Sequence, residues 1–126
     1  MRNRYREMEI RTASPLTLVV RFYDESIRMC RSAVEQQQAG NPVGRGEAVS
    51  RALALVGELR NVLDLEAGGE IARNLDSLYG YVTDCLVESS LHGETHPIQQ
   101  AEDVLVELRG GWVDLQARGA TAEAQP

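Results

Sequence analysis

LDLEAGGEIARNLDSLYGYV, residues 63–82, places a pair of glycines between two segments whose apolar residues recur at helical spacing. A phosphate-binding loop would need GxGxxG after a strand, or the GxxxxGKS/T pattern, and neither occurs here. Gly68 in a left-handed conformation would end the first helix, and Glu70 would then lie favourably near the N-terminus of the next. The stretch therefore predicts a turn between two helices.

The flanking sequence extends this pattern to four amphipathic segments. The first is predicted to begin at the N-cap Ser14 with Pro15 as its first residue, and to end before the glycine-rich loop AGNPVGRG, residues 39–46. In the third segment a second stripe, with Tyr79 and Leu86, adjoins the main one. Alternating spacings of three and four residues are typical of helix bundles. The predicted core positions are, segment by segment, Leu16, Val20, Tyr23, Ile27, Cys30 and Val34; Val49, Leu53, Val56, Leu59 and Leu63; Ile71, Leu75, Leu78, Val82, Cys85 and Ser89; and Ile98, Ala101, Leu105, Leu108, Trp112 and Leu115.

Short connections between these segments predict that consecutive helices run antiparallel. We therefore expect an all-α fold, an antiparallel up-down four-helix bundle over residues 13–116. An N-terminal arm or short helix, residues 1–12, should pack across the bundle, and residues 117–126, which are small and polar, should form a disordered tail. Gly57 inside the second helix suggests a close helix contact at that point.

The composition excludes several classes of partner. A net charge of −6 argues against nucleic acid, which needs a clustered basic face. No apolar run approaches the ~20 residues of a membrane span, so no membrane insertion is expected. The charged N-terminus is not followed by an apolar signal-peptide segment, which predicts a cytoplasmic protein. Cys30 and Cys85 are predicted to be buried free thiols rather than a disulfide.

The carboxylates near the glycine pair do not predict a catalytic site. Acid/base catalysis needs a carboxylate desolvated in a pocket. These side chains fall at helix ends or on faces away from the apolar stripe, which favours a solvated acidic surface; they are Asp64, Glu66, Glu70 and Asp76. No activated nucleophile is apparent, so we predict no enzyme, no catalytic residue and no cofactor.

The two histidines do not predict a metal site either. His92 and His96 are four residues apart, a spacing that would suit a metal if both were helical. Gly93 and Pro97 instead place them in a loop, and no cysteine or third histidine accompanies them. No metal ligand is therefore predicted.

The segments YREMEIRTASP, RFYDES, LDLEAGGEIARNLDSLYGYV and GGWVDL follow one another over residues 5–115. In this order and register they resemble the FliS family, the cytoplasmic export chaperones of bacterial flagellin. YREMEIRTASP is similar to the family's N-terminal tyrosine and its Thr-Ala-Ser/Thr-Pro cap, RFYDES to a segment of its first helix, and GGWVDL to the end of its last helix, with its single tryptophan. The chain differs from the family at Arg2, at Ser89 and Ser90, and at the pair Gly110 and Gly111. The central signature of the family matches at Leu63, Asp64, Gly68, Gly69, Glu70, Ile71, Asn74, Leu75, Leu78, Tyr79 and Tyr81.

The resemblance implies a chaperone that binds the disordered C-terminal region of flagellin in apolar grooves, prevents premature polymerisation and delivers it to the flagellar type III export gate. Expected partners are the flagellin C-terminal segment, an export gate component and a co-chaperone or regulator. The resemblance ties Tyr5 to docking at the gate and makes Ile10 a plug of an apolar groove. It also implies client binding by Leu75, Leu78 and Tyr79. The alternative is a generic helical adaptor or dimerisation module without flagellin specificity.

Overall fold

The computed structural model describes residues 15–124 of the chain, with side chains from residue 16 to residue 118. Each helix packs against its neighbours in the chain, and the last helix closes the ring against the first. The predicted all-α four-helix bundle is therefore confirmed. The predicted arm, residues 1–12, and the cap Ser14 lie outside the described residues. The helices are α1 Pro15–Gln38, α2 Pro42–Asn61, α3 Gly69–His92 and α4 His96–Ala124.

The core is built from apolar side chains of all four helices, and it includes most of the positions predicted in α1 and α2. Leu16 and Val20, which we also expected inside, are only partly buried and lie outside this core. Cys30 and Cys85 are both buried and unpaired, as predicted. Burial raises the pKa of the Cys30 thiol to about 12, so this thiol is protonated at neutral pH. The buried cluster is Tyr23, Ile27, Cys30, Ala33, Ala48, Val49, Ala52, Val56, Leu59, Tyr79, Val82, Cys85, Leu86, Ile98, Ala101 and Leu105.

Helix α3 presents a different stripe to the core from the predicted one. We expected Ile71 and Leu78 inside, but their side chains are 74% and 37% exposed, so this expectation was wrong. The residues that do face the core also include a series with alternating spacings of three and four, and four of the six predicted positions are among them, so spacing alone could not separate the two stripes. Helix α3 thus carries more apolar residues than the core uses. The inward positions are Ala72, Leu75, Tyr79, Val82, Cys85, Leu86 and Ser89.

Helix α2 begins earlier than predicted, because Asn41 caps it. The Asn41 side chain accepts a hydrogen bond from the backbone N–H of Gly44 (3.1 Å), and Pro42 occupies the first position, where no N–H is needed. Gly44 and Gly46 therefore belong to the helix rather than to a loop. Gly57 has no atom within 4 Å of where a Cβ would stand, so the predicted close helix contact there was wrong.

Helix α4 continues to Ala124 and so runs into the segment 117–126 that we expected to be a disordered tail. Alanine is the strongest helix former, and the alanines at 117, 120, 122 and 124 account for the continuation. The division of the chain into arm, bundle and tail stays a prediction.

Asp64 organises the turn between α2 and α3. One oxygen of its carboxylate accepts hydrogen bonds from the backbone N–H groups of Glu66 (3.2 Å) and Ala67 (3.0 Å). Its backbone carbonyl accepts a third, from the N–H of Gly68 (2.8 Å). A short acidic side chain that satisfies backbone donors two and three residues ahead is a strong turn former.

The two glycines of this turn have different roles. Gly69, rather than Gly68 as predicted, has the left-handed φ of +56°. Gly68 has φ −78° but lacks room for a side chain: a Cβ there would lie 2.6 Å from the Cβ of Ala72 and 2.8 Å from the carbonyl oxygen of Asp64. Glu70 lies in the first turn of α3, as expected.

Arg45 of α2 connects helices at the end of the bundle opposite to the α2–α3 turn. Its Nη2 donates to Ser89 Oγ of α3 (2.8 Å) and to the Ser89 carbonyl, and its Nε donates to Gln37 Oε1 of α1 (2.9 Å). Gln37 Nε2 in turn donates to the carbonyl of Gly93 (2.8 Å), in the connection to α4. Hydrogen bonds from the half-buried Arg45 guanidinium therefore join three helices, and Gln37 extends the network to the α3–α4 connection.

Replacing Gly68 by alanine should destabilise the bundle by about 1–3 kcal/mol, because the new methyl group has no space beside Ala72. The matched control is G46A in α2, where nothing lies within 4 Å of the added atom. This control should stabilise the protein by about 0.5–1 kcal/mol through helix propensity alone. Urea unfolding of both variants measures the difference, and equal stabilities would contradict a steric role for Gly68.

Candidate functional site

Three exposed apolar side chains of α3, Ile71, Leu78 and Tyr81, lie seven and three residues apart and so share one side of the helix. We call this set the α3 flank. Tyr81 is 45% exposed, and the nearby Cys85 thiol raises the pKa of Tyr81. Apolar residues that recur on one side of a helix and face solvent can receive another apolar segment.

The sequence-predicted site residues fall in different places. Leu78 is part of the α3 flank, and Leu75, one turn before it, is half-buried against the core. Tyr79 is only 1% exposed and belongs to the core. Tyr5 and Ile10 lie outside the described residues. The structure therefore brings Leu75 and Leu78 together at the edge of the core, while a binding role for each of the five stays a prediction.

Tyr79 meets two other large side chains at the centre of the bundle. Its hydroxyl is hydrogen-bonded to the hydroxyl of Tyr23 in α1, and the two rings are tilted at 45° with centroids 6.3 Å apart. Trp112 of α4 donates its indole N–H to the Tyr23 hydroxyl (2.9 Å). Burial raises the pKa of both tyrosines, so both hydroxyls are neutral at physiological pH.

Sequence reasoning placed Tyr23 and Trp112 in the core but did not predict that they would be hydrogen-bonded to each other. One signal could have indicated it. A buried tyrosine or tryptophan usually finds a partner for its polar atom, and the sequence offers few other groups at core positions. Together with Tyr79, these residues form a small hydrogen-bonded network inside an otherwise apolar core.

The acidic residues near the turn have structural partners or face solvent. Asp76 of α3 pairs with Arg60 of α2 (2.6 Å), and this hydrogen bond lowers the pKa of Asp76. A general acid needs the opposite shift. Asp64 forms the turn, while Glu66 and Glu70 are exposed. The arrangement is that of an acidic surface with one inter-helix ion pair.

His92 ends α3 and His96 begins α4, and both are exposed. Gly93 between them is left-handed, with φ of +71°. Within residues 15–124 there is no group of three or more histidine, cysteine, aspartate or glutamate side chains that could hold a metal ion. None of the four helices is both long and apolar enough to cross a membrane.

Residues 1–119 match the sequence family described as flagellar protein FliS. The chain is 32% identical to the flagellar secretion chaperone FliSB of Pseudomonas aeruginosa over 109 residues, which cover 84% of either chain. It is 30% identical to the flagellar secretion chaperone FliS of Salmonella typhimurium over 123 residues, 94% of this chain and 89% of the relative. The flagellar secretion chaperone FliS of Campylobacter jejuni is 27% identical over 121 residues, 96% of this chain and 94% of the relative.

Replacing Tyr79 by phenylalanine should lower stability at pH 7 by about 1 kcal/mol, the net value of one buried hydrogen bond. The unfolded chain ionises its tyrosines near their ordinary pKa of 10, whereas the folded core holds Tyr79 neutral. Stability should therefore fall as pH rises above about 10, and Y79F should fall less steeply. Urea unfolding from pH 7 to pH 11 checks both effects, with tyrosinate absorbance as a second readout. If the folded Y79F protein shows less tyrosinate absorbance near pH 10 than the folded unchanged protein, then Tyr79 ionises in the folded state and is accessible to solvent.

Proposed function

The chain belongs to the FliS family, and on this basis we propose that it binds the C-terminal region of flagellin in the cytoplasm and delivers it to the flagellar type III export gate. Its relatives carry the name flagellar secretion chaperone, so the chain is a flagellar export chaperone and not an enzyme. The bound client segment would be covered and unable to polymerise before export. A co-chaperone or regulator that shares this surface is part of the same proposal.

One observation carries the proposal: α3 has more apolar residues than the core uses, and two positions of the predicted stripe remain outside. Ile71 and Leu78 of the other stripe are exposed in the free chain. An amphipathic client helix anchors its apolar face through residues spaced by three, four or seven positions. Ile71 and Leu78 are seven positions apart, so they match two turns of a helix laid along α3.

Burial of the exposed side chains supplies the driving force, at about 25 cal/mol for each Å² of apolar surface removed from water. A disordered client gives back ~2–5 kcal/mol of the gross interaction when it becomes ordered. The balance supports specific binding that is still reversible, which an export chaperone needs when it hands its client to the gate.

Leu75 and Leu78 are proposed to contact the client directly. Tyr79 would act from the core side, because its buried ring fixes the rotation of α3 and so keeps Leu78, the preceding residue, at the surface. Tyr5 and Ile10 keep the roles that the family resemblance implies, gate docking and a groove plug.

The proposal is tested by calorimetric titration of the full chain with the C-terminal segment of flagellin from the same organism. We expect one-to-one binding with a negative heat-capacity change and a gain of helix by circular dichroism. A folded chain that self-associates strongly and shows no preference for this segment would favour the helical adaptor or dimerisation module instead.

Replacing Leu78 by alanine should weaken binding roughly tenfold, since one apolar anchor contributes about 1.5 kcal/mol. The control is V87A. The side chain of Val87 is 41% exposed, a fraction similar to that of Leu78. Val87 lies nine positions after Leu78, and since each residue turns the helix by about 100°, it faces the opposite side of α3. The same titration should give V87A the affinity of the unchanged protein. Equal losses in both variants would remove the α3 flank from the proposed site.

Replacing Tyr5 by alanine should leave the helix content and the unfolding midpoint unchanged but impair binding of the client or of the gate component. Circular dichroism gives the first result, and titrations with each partner give the second. A lower unfolding midpoint in Y5A would indicate that Tyr5 supports the bundle, as an amphipathic residue covering its edge.

A further inference from the structure

The two parts of α4 are held very differently. Ile98, Ala101 and Leu105 are fully buried in the core. Beyond them, the inward positions Leu108 and Trp112 are only partly buried, and Leu115, which we expected inside, is 49% exposed. Helix α4 therefore loses its packing support towards its C-terminal end.

Gly110 and Gly111 lie at the point where this support fades. Neither glycine is required by space, because nothing lies within 4 Å of a Cβ built at either position. Neither has a positive φ, so alanine fits the backbone as well. Each glycine disfavours the helix about four- to fivefold relative to alanine, and the adjacent pair therefore does so about 20-fold.

Two polar contacts tie the helix beyond the glycines to α1. Trp112 Nε1 donates to the Tyr23 hydroxyl (2.9 Å), and Gln116 Nε2 donates to Thr17 Oγ1 (2.7 Å). The ion pair between Arg109 and Asp24 comes before the glycines and stays with the first part of α4.

We propose that Gly110–Gly111 is a breakpoint at which residues 112–124, here called the α4 strap, detach from the bundle while the remaining helices stay folded. Detachment breaks the bonds of Trp112 and Gln116 to α1. It leaves Tyr23 hydrogen-bonded to Tyr79, so the hydroxyl at the centre of the core keeps a partner.

Detachment is confined to one end of the bundle. The other end is tied by the hydrogen bonds of Arg45 to Ser89 and Gln37. Because α3 and α4 run antiparallel from the connection 93–95, the strap lies beside the first half of α3, which carries Ile71 and Leu78. Opening of the strap therefore enlarges the apolar surface next to the α3 flank, whichever ligand that surface takes.

Amide hydrogen exchange of the full chain tests the breakpoint, with G57A as the key control. Gly57 in α2 also has open space around it, so alanine there should stabilise the whole bundle about fivefold against global unfolding. If the strap opens separately, G57A slows exchange of residues 98–105 and leaves residues 112–118 unchanged. If both segments slow equally, the strap opens only by global unfolding and the proposal fails.

The double variant G110A/G111A should slow exchange of residues 112–118 about 20-fold. Trp112 is the single tryptophan of the chain, so its quenching by acrylamide reports the same opening and should fall in this variant. Unchanged exchange of residues 112–118 in a folded G110A/G111A protein would overturn the breakpoint. The single variant G111A provides the same test with a fivefold expected effect.

Discussion

The hydrogen bond between Tyr23 and Tyr79 joins α1 and α3, which lie on a diagonal of the four-helix ring. Neighbouring helices are held by many apolar contacts, whereas a diagonal pair is reached only by long side chains. Two large rings that meet at the centre leave little freedom for either helix to rotate about its axis. This contact therefore sets which side of α3 is inside, and with it which apolar residues remain outside.

The bundle is unequal at its two ends. At one end, Arg45 links three helices through charge-assisted hydrogen bonds to Ser89 and Gln37. Gln37 in turn is hydrogen-bonded to Gly93 in the α3–α4 connection. The other end has the Asp64 turn, the exposed part of α3 and the weakly packed end of α4. Local opening free energies in proteins range from near zero to the global value, and the elements with few buried contacts lie at the low end. Ile71 and Leu78 of the α3 flank are thus at the end that has fewer buried contacts.

The four helices and most of the core could be predicted because local signals specify them: periodic apolar residues, the proline at position 15 and the glycine pair. The rotation of α3 could not be predicted, since Leu75, Val82, Cys85 and Ser89 fit both stripes. The choice depends on Tyr23, 56 positions away from Tyr79. The same uncertainty applies to the candidate site, because burial of Tyr79 turns the adjacent residue Leu78 towards the surface. Asn41 followed by Pro42 is a typical helix start, but we predicted a loop there because Gly44 and Gly46 follow.

An exposed apolar flank has a consequence for the behaviour of the free protein at high concentration. Exposed apolar side chains such as Ile71 and Leu78 favour contact between copies of the chain, because contact removes them from water. The chain carries a net charge of −6, and the carboxylate of Glu88 acts electrostatically on Tyr81 within the flank. Like-charged copies repel each other over about 10 Å in ~0.1 M salt, so the acidic surface provides colloidal protection. The chain thus carries an exposed apolar flank together with a net negative charge that opposes association between its own copies.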